Sequence, residues 1–190
     1  MNRFIPERLS ISTLRELYKK GIITPEDVIE EITERAEKTE EYDIWITKPD
    51  REKIDVYLKN LKEMDSDLPL WGIPFAVKDN IDVAGMETTA ACPEYKYMAD
   101  ENAEVVDRLI SMGAIPVGKT NMDQFATGLV GTRSPYGQTH NSLRPELISG
   151  GSSSGSAVAV SLGLVSFALG TDTAGSGRVP AALNNIVGYK

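Results

Sequence analysis

Through the first third of the chain, apolar residues recur at helical spacing between charged ones. Val28, Ile29, Ile32 and Ala36 fall on one face of a segment that opens Thr24-Pro25-Glu26-Asp27, a start signal that joins a capping threonine to a proline at the first helical position. Ahead of it, Thr13 and Glu16 are spaced as a capping box for a shorter helix stopped by Gly21. Behind it, Pro49-Asp50 introduces a third helix with Ile54, Tyr57, Leu58 and Leu61 inward. The pattern predicts an N-terminal helical region over residues 1–68. Its surface, half apolar stripe and half charge, suits a helical layer on a larger body or an oligomer contact, and it carries no catalytic signal.

From Pro69 strands and helices alternate. Phe75-Ala76-Val77-Lys78 predicts a strand, Ala103 to Met112 a helix with Val105, Val106, Leu109 and Ile110 on its apolar face, and Ala114-Ile115-Pro116-Val117 another strand. Further on, Ala157-Val158-Ala159-Val160-Ser161-Leu162 is a helix-length apolar run, Gly163 stops it, and Val165-Ser166-Phe167-Ala168-Leu169 reads as a buried strand. Residues 69–190 therefore belong to an α/β class with a largely buried sheet, and the whole to one domain. Gly113 to Thr120 satisfies the pattern G-x-x-x-x-G-K-[ST], but a phosphate-binding loop needs its strand before the first glycine. Here a helix precedes Gly113 and the variable residues are themselves strand-like, so Gly113 is a helix cap and nucleotide binding is rejected.

Composition removes several chemistries. The formal charge of -8 argues against a nucleic-acid surface, which needs clustered Lys and Arg. Apolar runs are too short and interrupted for a membrane span, and Met1-Asn2-Arg3-Phe4 leads into polar sequence instead of a signal peptide, so a cytoplasmic location is expected. One cysteine and one histidine allow no disulfide within the chain and no zinc site of their own. No metal or other cofactor is expected. Cys92 has no neighbour to lower its pKa and reads as a turn or packing residue. His140, the only imidazole, sits in a loop as a poor candidate for a Ser-His-Asp triad.

One segment stands out against this background. Between Ile148 and Val187 the only charged residues are Asp172 and Arg178, while Gly150-Gly151-Ser152-Ser153-Ser154-Gly155-Ser156 opens the stretch and Gly170 to Pro180 closes it. A flexible Gly/Ser linker would not run directly into a buried helix and strand, so the hydroxyls read as parts of a dry active site. Without His or Cys, a serine can be activated by a lysine base. Lys78, at the end of an apolar strand, is the best placed, and moving it from about 10.4 to roughly 7 or 8 costs about 4 kcal/mol. Local sequence leaves a salt bridge to Asp79 or Asp82 equally open.

Lys78, the Gly-Gly-Ser-Ser-Ser-Gly-Ser loop and the Thr-Asp-Thr-Ala-Gly-Ser-Gly-Arg turn together resemble the amidase signature family, over a match running from about Thr13 to the last residue. The resemblance implies the amidase-signature fold, a mixed central sheet flanked by helices under an N-terminal helical layer, here as a partial domain. It also implies a catalytic set of Ser176 as nucleophile, Ser152 as bridging serine after a cis Gly151-Ser152 bond, and Lys78 as base. Backbone amides of Thr173, Ala174, Gly175 and Ser176 would form an oxyanion nest, and Gly128 would lie near the substrate. Ser153 is expected to add a hydrogen bond to Lys78, and Asp172 with Arg178 to form an ion pair supporting the turn.

Within the family, Gly118 to Gly137, Ile81 to Met86, Thr88 to Pro93 and Leu183 to Gly188 resemble allophanate hydrolases, as do Ala174 and Gly177. That resemblance implies a small-molecule amide substrate, urea-1-carboxylate, ammonia as product, and a functional link to a biotin-dependent urea carboxylase. The amidase-type component of glutamyl-tRNA amidotransferase shares the catalytic pattern and is the enzyme alternative. The family's domain is considerably longer, with the residues for the substrate carboxylate beyond Lys190. A catalytically silent fragment acting as an interaction or oligomerisation module, including a homodimer, is the alternative of another class.

Overall fold

The computed structural model describes residues 4–190, so the opening Met1-Asn2-Arg3 lies outside it. Helix α1 spans Ile11–Lys19 and α2 Pro25–Lys38, followed by β1 at Trp45–Thr47 and α3 at Arg51–Leu61. The Thr24 cap forms as predicted and goes further, since Thr24 and Asp27 cap reciprocally as a box. The first helix begins elsewhere: Ser10 in extended conformation accepts from Thr13 N at 3.2 Å, while Glu16 is held by Lys20. Three residues earlier, a serine already offers the side-chain oxygen that the first turn needs, so Thr13 lies inside the helix.

Strand β2 covers Pro74–Lys78 and β5 Ile115–Thr120, with the short strands β3 (Glu87–Thr88) and β4 (Tyr97–Met98) and helix α4 (Glu104–Ser111) between them. Helix α5 (Ser154–Ser161), strand β6 (Phe167–Leu169) and helix α6 (Arg178–Leu183) complete the order. Among the described residues, a four-stranded sheet runs β1-β5-β2-β6, with β1 antiparallel to β5 and the other neighbours parallel. It is the mixed sheet expected. Strand β1 was not anticipated, and it draws the N-terminal region into the sheet.

Alternation along β2 sorts the core. Ala76 joins the cluster containing Leu14, Ile32, Ile54, Val158 and Leu164, whereas Phe75 and Val77 join Val83, Met86 and Val106 on the α4 side; Ile73, just ahead of the strand and out of its alternation, also joins the first cluster. Lys78 is in phase with Ala76, the residue on the α5 side. In α4, Val106 is buried but Val105 is 43% exposed, so the inward face is narrower than predicted. Strand β6 is shorter than expected and half-buried, because it forms the sheet edge. Residues 115–120 are buried in the ladder and Gly113 takes φ 90°, the cap that excludes a phosphate loop.

Helix α5 packs closer to its neighbours than any side chain permits. A Cβ on Gly155 would lie 2.3 Å from Ile44 O and 2.7 Å from Asn121 N. Its amide bonds to Asn121 O at 3.0 Å, locking the start of α5 against the end of β5. Since β2, β5 and β6 are parallel, their C-terminal ends share one edge, the place where α/β sheets collect ligands.

Candidate active site

Four segments meet at that edge: the last residue of β2, the loop after β5, the turn after β6 and the approach to α5. Lys78 is fully buried, and its Nζ lies 2.8 Å from Ser152 Oγ and 2.6 Å from Thr171 Oγ1. Both partners are hydroxyls. Burial pushes the lysine down to about 8, against the pull of Asp123 and then Asp172. The salt-bridge reading of Lys78 fails, because Asp79 turns to Lys119 at 3.6 Å and to Thr89, and Asp82 accepts from Tyr97.

The peptide bond between Gly151 and Ser152 is cis. Ser176 is 7% exposed, and its carbonyl accepts from Ser153 N at 3.0 Å, which joins the two glycine-rich turns. No hydrogen bond among the described residues is made by Ser176 Oγ. Above it lies a cavity of about 150 Å³ lined by Ala126, Gly128, Leu129, Thr171, Thr173, Ala174 and Ser176. A larger cavity of about 570 Å³ beside β6 and α5 contains neither Lys78 nor Ser176, so its size gives it no claim on the chemistry.

Asp172 shapes the turn. Its carboxylate accepts from the amides of Gly175 at 2.9 Å, Gly177 at 3.1 Å and Arg178 at 3.0 Å, and from the Arg178 guanidinium at 2.9 Å through two nitrogens. The guanidinium foremost, with those amides, holds this carboxyl well below the usual range. The ion pair expected between Asp172 and Arg178 forms. The Gly175 amide is thereby engaged, which removes one of the four donors expected in the nest and leaves those of Thr173, Ala174 and Ser176 around the cavity.

Ser153 also departs from expectation. Its Oγ donates to Thr171 O and accepts from Thr171 N, each at 3.3 Å, so it holds the threonine that bonds the lysine instead of bonding Lys78 itself. Thr171 was missed, although a hydroxyl immediately before Asp172 in an uncharged turn is the available signal. Asn80 Nδ2 supports it from 3.3 Å. His140 Nδ1 is bonded to Pro145 O at 2.9 Å, and Cys92 Sγ reaches Glu94 at 3.5 Å; neither lines the serine cavity.

The mixed-sheet α/β body thus holds a dry lysine bonded to two hydroxyls beside a cavity whose wall includes Ser176. The amidase family profile matches residues 27–190, and the chain belongs to that family. It is 57% identical to urea amidolyase from Saccharomyces cerevisiae over 148 residues, which is 77% of this chain and 8% of that protein. With the A-type component of glutamyl-tRNA(Gln) amidotransferase from Lactobacillus johnsonii it shares 43% identity over 184 residues, 95% of this chain and 37% of that protein. The structure of Kluyveromyces lactis allophanate hydrolase aligns at a TM-score of 0.82 and 46% identity, covering 90% of this chain and 29% of that one. The chain thus spans well under half the length of these relatives. Among the described residues no helix is long and apolar enough to cross a membrane.

Proposed function

We propose that this chain carries the catalytic Ser-Ser-Lys relay of an amide hydrolase that releases ammonia from urea-1-carboxylate. The observation that carries the relay is the 2.8 Å contact between the buried Lys78 Nζ and Ser152 Oγ, with Ser176 in the cavity wall beside them. Neutral Lys78 takes the proton of Ser152, and Ser152 takes that of Ser176. Ser176 Oγ then attacks the amide carbon, and the remaining free amides of the turn receive the oxyanion. The relay returns the proton to the departing nitrogen, the C–N bond breaks, and water resolves the acyl-enzyme by the same route. Substrate binding brings Ser176 Oγ into line with Ser152 Oγ, a contact that closes only in the loaded site.

The substrate reading rests on the urea amidolyase and allophanate hydrolase relatives. A cavity of about 150 Å³ suits a small amide. In this reading the enzyme works in the cytoplasm, downstream of a biotin-dependent urea carboxylase, with the helical region as the surface for a homodimer. The amidotransferase relative aligns with nearly the whole chain, so a glutaminase is the second reading. Ammonia release from urea-1-carboxylate by the polypeptide of the full reading frame, abolished in Ser176→Ala, is the expected result. Release from glutamine alone, stimulated by ATP and partner proteins, would transfer the assignment to the second reading. Turnover surviving in Ser176→Ala would sink both.

A further inference from the structure

Asp123 is fully buried just beyond β5 and forms no salt bridge among the described residues. Its carboxylate is satisfied by backbone: Oδ2 accepts from Gly131 N at 3.0 Å and Oδ1 from Arg133 N at 2.9 Å. Its own amide donates to Ser152 O at 3.1 Å. Two glycines are shaped to fit it. A Cβ on Gly151 would fall 2.0 Å from Asp123 Oδ2, and one on Gly128 would fall 2.9 Å away. One carboxylate therefore packs between Gly128, in the cavity wall, and Gly151, beside the bridging serine. Gly151 N also donates to Leu129 O at 2.9 Å, across the same seam.

We infer that Asp123 is a positioning residue that clamps the 126–133 loop onto the bridging serine and sets an uncompensated negative charge beside the Lys78–Ser152 pair. The inference rests on the relay reading above. A buried anion with no cationic partner favours the ammonium form of a nearby lysine, the form created each time the relay takes up a proton. The other groups around Lys78 are less free to act. Asp172, on the turn after β6, is held by the Arg178 guanidinium and faces Lys190 at 3.6 Å. Asp79, next to Lys78 in sequence, is engaged with Lys119 on β5. Ser152, Thr171 and Asn80 are neutral at working pH.

The test is the pH dependence of covalent labelling by a fluorophosphonate, which needs no knowledge of the natural amide. Ser176 Oγ displaces fluoride from phosphorus and its proton passes to the relay. Wild-type labelling should rise along a limb with its midpoint near the pKa of Lys78 and vanish in Ser176→Ala. In Asp123→Asn, which keeps the shape but loses the charge, the midpoint should move down by about half to one pH unit and the plateau rate should fall about tenfold. In Asp123→Glu, which keeps the charge but cannot keep both amide bonds, the midpoint should stay and the plateau fall. An unmoved midpoint in Asp123→Asn, or a wild-type plateau in Asp123→Glu, overturns the inference; the second variant decides if the first does not fold. Wild-type labelling that survives Ser176→Ala overturns the relay reading, and the inference with it.

Discussion

Replacing Lys78 by methionine should abolish amide hydrolysis while making the folded protein less penalised at neutral pH. The side chain is fully buried and its pKa falls from 10.5 to about 8, a gap equivalent to about 3.4 kcal/mol. The sign follows from proton counting. Between pH 8 and 10.5 the unfolded chain holds a proton on this lysine that the folded chain has released, so this group makes the fold more stable as the pH climbs through that interval, and its penalty is greatest where both states are charged. Below about pH 8 both states are protonated and the full penalty stands. Methionine of similar length has no such dependence, so the stability of wild type relative to Lys78→Met should increase by about 2 kcal/mol between pH 7.5 and 9.5. Lost bonds to Ser152 and Thr171 shift the offset between the proteins but not its slope. Urea denaturation at the two pH values measures it. A difference that stays flat across that interval would refute the reasoning, since it would mean that the lysine titrates alike in both states.

Two further outcomes follow from the packing around the site. Arg35 binds the carbonyls of Glu7 at 3.0 Å, Pro6 at 2.9 Å and Gly163 at 2.8 Å, tying the N-terminal arm to the end of α5. Arg35→Ala should cost about 2–4 kcal/mol, read as a lower urea midpoint with an unchanged slope. Gly155→Ala forces a methyl against the backbone of Ile44 and Asn121 and should cost about 3 kcal/mol by thermal melting, because the atoms it meets are backbone and not the ends of flexible side chains.

Much of the fold was legible because its signals are redundant. The α2 face, the Thr24 cap, and the glycine stops at Gly21, Gly113 and Gly163, all at positive φ, each rest on several residues that agree. Strand β1 rests on three, Trp45–Thr47, too few for alternation to be visible, and only its pairing with β5 makes it a strand. At the site, the chain path from Lys78 to Ser152 follows from the strand end and the glycine loop. The choice of hydroxyl at the lysine does not. Ser153, Thr171 and Thr173 are equivalent by composition, and Thr171 is selected by the path of a turn that Asp172 folds through the amides of Gly175, Gly177 and Arg178. That path is set by three-dimensional closure, which local sequence does not encode.

The scarcity of charge between Ile148 and Val187 is only part of what sets the lysine. An unperturbed amine at 10.5 would be neutral in about one molecule in three thousand at pH 7, too rarely to serve as base, whereas at about 8 the fraction is about one in ten. Burial supplies that fall. Asp123 and Asp172 oppose that fall, and both are in place for another reason: each folds a loop by accepting its backbone amides. Asp123 outweighs Asp172 at Lys78, and Asp172 is in addition met by the Arg178 guanidinium through two nitrogens. The same carboxylates that fold these loops thus bear on the basicity of Lys78, so a substitution that loosens the Asp123 loop should also retune the lysine.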